Sequence, residues 1–186
     1  DAALRIIDKK TSNAGLQTLY GIQGAMISEF GNNTKDAIVR YNRVAKLQKN
    51  VNLRVTILLG ALYERLGQNV NAKQIYDNYR DLHPGTTKLD RAYNRLKAAE
   101  KPEPNNQTVS DGVAEALFSL GFAIQNQDPY QAIIFSRLAI YLRPSFTIAK
   151  LLLAGSLEDN DKLKEANNIY HSMSKDPNYS WATRLR

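Results

Sequence analysis

His83 and His171 are the only histidines of the chain, and no cysteine accompanies them. Zinc–thiolate sites, iron–sulfur clusters, thiol catalysis and disulfides are thereby excluded together. No Ser/His/Asp set and no glycine-rich phosphate cradle has the spacing its chemistry needs. Glu158-Asp159-Asn160-Asp161 is a dense carboxylate run, but the following glycine and the distal glutamate of a calcium loop are missing. It reads as a polar turn. His171 and Asp176 do not form a metal spacing. Asn32-Asn33-Thr34, Asn106-Gln107-Thr108 and Asn178-Tyr179-Ser180 fit the N-glycosylation triplet, which occurs often by chance. The expectation is a chain without catalytic residues, metal ligands or cofactors, and not an enzyme.

The chemistry left is recognition. Arg54, Ile57, Ala61, Glu64 and Arg65 recur three and four residues apart, the spacing of one helix face. Glu115, Phe118, Phe122, Gln125 and Asn126 repeat that arrangement further on, and Ile148, Leu151, Gly155, Glu158 and Asp159 do so again. Apolar positions ringed by Arg, Glu and Asn suit capture of an extended peptide. The alternative for Phe118 and Phe122 is packing on neighbouring helices.

Those faces require helices to carry them. The clearest unit runs from Leu53 to Pro84 and contains Leu59-Gly60-x-x-Tyr63, Ala72-x-x-x-Tyr76 and the closing Pro84. Gly60 and Ala72 allow two helices to approach, Leu59 and Tyr63 are expected to turn toward the partner helix, and Pro84 cannot continue the hydrogen-bond ladder. Gly67 to Asn71 is a turn, with Asn71 expected as the cap of the second helix. Weaker copies hold Gly24-x-x-Ile27 with Ala37-x-x-x-Tyr41, Leu120-Gly121-x-x-Ile124 with Ala132-x-x-x-Ser136, and Leu153-Ala154-x-x-Leu157 with Ala166-x-x-x-Tyr170. The alanines at 37, 72, 132 and 166 are separated by steps of 35, 60 and 34. The long middle step holds an unpaired helix, Thr86 to Ala99, and a connector, residues 101–107, in which Pro102 and Pro104 impose extended backbone. Thr108 with Asp111 is the signature of a capping box, and Asp128-Pro129 that of a cap and first-turn proline.

Together these features resemble the tetratricopeptide-repeat family, over about 160 residues, and in particular the middle part of long bacterial proteins of that family. The resemblance implies an all-α, right-handed solenoid of four antiparallel helix pairs, with one extra helix and a proline-containing linker in the middle. Residues 1–100 would hold two pairs and the extra helix, and residues 108–186 two more and the start of another helix. It also implies a concave inner face, made by the first helix of each pair, that binds a peptide or partner protein. The two-lysine, two-asparagine, one-arginine clamp of the chaperone-binding members has no counterpart, since Ala25, Ile57, Leu58 and Phe118 stand at the inner positions.

Charge offers a second reading. The chain has 25 basic and 18 acidic residues, a net of +7. Residues 1–100 carry 16 Lys/Arg against 9 Asp/Glu, and residues 101–186 carry 9 against 9. Lys35, Arg40, Arg43, Lys46, Lys49, Lys73, Arg80, Lys88, Arg91, Arg95 and Lys97 make this half a candidate surface for nucleic acid or anionic membrane. Interleaved acids and the lack of base-stacking aromatics among them favour a solvated face instead. No targeting segment begins at Asp1, and the ends read as helices cut mid-course, Ala2 to Lys10 and Trp181 to Arg186. A piece of a longer bacterial protein, cytoplasmic or periplasmic, is expected, with any membrane anchor in flanking sequence.

Overall fold

The computed structural model describes residues 2–8, 14–47, 52–105 and 107–173. The helix expected from Trp181 to Arg186, and Lys49, lie outside them. Among the described residues the fold is all-α, with no strand. Two compact units divide the chain, Asp1–Gln107 and Thr108–Arg186.

In the first unit, α1 (Ala2–Ile7) packs on α2 (Ala14–Phe30), α2 on α3 (Thr34–Leu47), α3 on α4 (Leu53–Arg65), and α4 on α5 (Asn69–Leu82). A sixth helix, α6 (Asp90–Ala98), packs on both α5 and α4. Asn52 starts α4, its side chain accepting from the amides of Arg54 and Val55 at 2.8 and 3.4 Å. Gly67 ends that hairpin's first arm in the left-handed region, φ 73°, where only glycine avoids a Cβ penalty. The second arm begins earlier than expected. Gln68 is the residue before α5 and supplies no cap, and Asn71 lies inside the helix, donating to the Gln68 side chain at 3.0 Å. The extra helix begins later than expected, because turns closed by Thr86 N–H to His83 O and by Asp90 N–H to Thr87 O follow α5, and Leu89 precedes the first helical residue. It is not unpaired either. Leu89 and Ala92 are buried with Ala72, Tyr76 and Tyr79 of α5.

Leu59 lies in a cluster with Ile22, Ala25, Met26, Ala37, Tyr41 and Val44 of α2 and α3, against which Tyr63 of α4 and Ile75 of α5 also pack. Gly60 is the residue set against α5, where a Cβ would overlap the Tyr76 ring.

The second unit holds α7 (Val109–Ile124), α8 (Pro129–Leu142), α9 (Thr147–Glu158) and α10 (Leu163–Met173), each packed on the next. Thr108 and Asp111 form the reciprocal capping box at the start of α7. Asp128 caps α8, accepting from the Gln131 amide at 3.0 Å, with Pro129 in the first turn. Phe118, Ala139, Phe146 and Leu152 make one core of this unit, and Leu153, Leu157, Ala166 and Tyr170 another. Fully burying a leucine or phenylalanine side chain contributes about 1.5–3 kcal/mol.

Candidate interaction site

A polar lock, buried at Glu64 and part-buried at Glu29 and Glu158, recurs along the chain. Ala25, Gly60 and Ala154 are small, buried and set where helices meet. Four residues after each stands a glutamate: Glu29, Glu64 and Glu158. Each accepts a hydrogen bond from a tyrosine twelve residues further on, Tyr41 at 3.5 Å, Tyr76 at 2.6 Å and Tyr170 at 3.0 Å. Each tyrosine lies four residues after the signature alanine, so a phenol reaches from the second arm of a hairpin to a carboxylate at the end of the first. A buried carboxylate needs a counter-charge as well as hydrogen bonds. In the first unit the next element provides it. Arg65 pairs with Glu29, and Arg95 of α6 pairs with Glu64 at 2.8 Å. Burial pushes the Glu29 carboxyl above its ordinary value, outweighing the pull of Arg65. It likewise raises the Tyr76 phenol, helped by the Glu64 carboxylate beside it.

The third hairpin lacks the lock. Gly121 takes the small position, but Gln125 stands four residues later and Ser136 replaces the tyrosine. Gln125 instead donates to the carbonyl of Phe122 at 3.3 Å. A different buried carboxylate, Glu115, receives Arg143 from the end of α8 at 3.2 Å. Arg143 also stacks over Phe146, 4.7 Å from the ring centre.

The ten candidate recognition residues fall into different surroundings. Glu64, 1% exposed, and Glu115 are interior and engaged as just described. Phe118 is buried between Phe122 and Phe146, with ring centres 6.0 and 5.4 Å away. Ile57 is half-buried against the α5–α6 cluster, and Ala61 is half-buried. Arg54 and Arg65 are half-buried and reach residues 103–105. Phe122, 57% exposed, and Asn126 face solvent, with Gln125 half-buried beside them.

Periodicity placed these residues on a common face but could not separate a carboxylate aimed inward from one facing water. The signal that does so is the repeated Glu, eleven intervening residues, Tyr. The sequence reading also passed over α8, where Tyr130, Ile134, Leu138 and Tyr141 form a stripe of exposed side chains at helical spacing, from 46% exposed at Leu138 to 82% at Tyr141.

Among the described cations of the basic half, Arg40, Lys73, Arg80 and Arg95 are held in ion pairs with Asp36, Asp77 and Glu64. Among the described residues no cluster of three His, Asp or Glu side chains is arranged for a metal ion, and no helix is long and apolar enough to cross a membrane. Compared with known proteins, the sequence matches no family model, and no curated protein matches it.

Proposed function

We propose that the chain is a non-catalytic, tetratricopeptide-like scaffold that binds a peptide or protein partner. The observation that carries this reading is the apolar surface of the second unit. Phe122 projects from α7 with its inner neighbour Phe118 anchored in the core, and α8 offers Tyr130, Ile134, Leu138 and Tyr141 to solvent. Exposed apolar groups that neighbour one another, as along α8, mark association surfaces, and a few aromatic anchors carry most of the affinity in such contacts. Phe122 can be truncated without opening the core. Phe118 cannot, since removing a buried phenylalanine costs about 3–5 kcal/mol.

Nucleic-acid or anionic-membrane binding through the basic half draws less support, because part of its charge is already neutralised within the fold. The experiment is site-specific photo-crosslinking from positions 122 and 141 in cells. One discrete protein adduct, reduced when Phe122 is changed to Ala or Ile134 to Ser and insensitive to salt, is expected. Adducts absent from both positions, or nucleic-acid binding that falls steeply with ionic strength, would overturn the scaffold reading.

A further inference from the structure

Arg54 and Arg65 stand near opposite ends of α4, with Ile57 and Ala61 between them on one face. The guanidinium of Arg54 donates to the side-chain oxygen of Asn105 at 3.4 Å, and that of Arg65 donates to the main-chain carbonyl of Glu103 at 3.4 Å. The chain leaving α6 therefore turns back along α4 in the opposite direction, residue 103 toward its end and residue 105 toward its start. Pro102 and Pro104 bracket Glu103. Proline carries no N–H and favours extended backbone at the residue before it, here Lys101 and Glu103. The acceptors it offers are the Glu103 carbonyl and the Asn105 side chain, which flank Pro104, and arginine is a pure donor. The fit is chemical. Lys101, Glu103 and Pro104 remain exposed and Pro102 is half-buried, so main-chain and polar contacts, more than burial, hold the segment.

We propose that this face of α4 is a binding surface for an extended, proline-containing peptide, and that residues 101–105 occupy it as an internal ligand which a partner segment of the same chemistry displaces. The inference rests on the scaffold reading and adds to it the ligand class and a built-in competitor. A tethered competitor acts at an effective concentration of millimolar order, so the native chain would accept only partners that outbid it.

The test uses the full chain, isotopically labelled, titrated with a synthetic peptide copying residues 99–107. Replacing residues 101–105 by a Gly/Ser segment of equal length should lower the peptide concentration that saturates the arginine Nε–H signals of Arg54 and Arg65 by about tenfold. Asn105→Ala, which removes one acceptor and leaves α4 untouched, should produce a smaller shift in the same direction. Arg54→Ala in the Gly/Ser chain should weaken the peptide again, with helicity unchanged. Equal saturation in native and Gly/Ser chains, or binding indifferent to Arg54, would overturn the proposal. The crosslinks from positions 122 and 141 report on the other unit, so either idea can fail alone.

Discussion

One added methyl group at Gly60 would enter the Tyr76 ring, which is itself fully buried. The ring cannot retreat without giving up its hydrogen bond to Glu64. Gly60→Ala is therefore expected to destabilise the first unit by about 1–3 kcal/mol despite the better helix propensity of alanine, measured as a lower urea midpoint. An unchanged midpoint would mean that α4 and α5 are not in contact there. Glu64 shows how a residue type misleads at this scale. Glutamate is almost never fully buried unless paired, so a reading of the sequence puts it on the surface. The two groups that permit its burial, Tyr76 and Arg95, lie twelve and thirty-one residues away.

Between elements, that carboxylate joins three helices, because α4 supplies it, α5 the phenol and α6 the guanidinium. Among the described residues Glu64 is the carboxylate paired with Arg95, and removing it leaves a part-buried guanidinium without that counter-charge. Glu64→Ala should thus release α6, seen as accelerated amide exchange over Asp90–Ala98. In Tyr76→Phe the Glu64–Arg95 pair survives and α6 should stay protected. Equal exchange in both variants would remove the claim that the ion pair, and not the phenol, fastens this helix. The helices and two of their caps were legible from sequence, since Thr108 with Asp111 and Asp128 with Pro129 act within a single turn. Asn71 was misread because several Asn and Gln residues crowd that turn and only one can precede the helix. The docking of α6 was not legible, since it depends on partners in two other helices. The surface stripe of α8 was hidden by its own hydrophobicity, as apolar helical residues are ordinarily read as core.

Over the whole molecule, described acidic groups with altered titration set a pH dependence. Hydrogen bonds from Arg40 hold Asp8 below its ordinary value of 3.8. Ser28 and then Arg40 do so for Asp36, and Lys73 chiefly for Asp77. A carboxyl depressed in the folded state contributes stability above its ordinary value and loses it as pH falls through the folded one. Glu29 has the opposite sign, since its raised value favours the folded state below 4.5 and no longer does so above the folded value. Asp8, Asp36 and Asp77 thus act in one direction and Glu29 in the other. The urea midpoint should hold through neutrality and fall as pH drops below about 4, with a shallower fall in Asp36→Asn combined with Asp77→Asn. An identical acid limb in that double variant would show that these pairs do not govern the decline.

The third hairpin bears on how such a lock can be dismantled. Turning a Glu–Tyr hairpin into the Gln125–Ser136 form one substitution at a time can follow either of two orders. If the phenol goes first, the acid keeps its negative charge but loses a donor. If the acid becomes an amide first, its oxygen still receives the phenol, and the later step to serine leaves only a small hydroxyl, as at Ser136, buried and without a hydrogen-bond partner among the described residues. In the first unit the amide also deprives Arg65 or Arg95 of its carboxylate, so there the acid is the costlier half of the lock to lose.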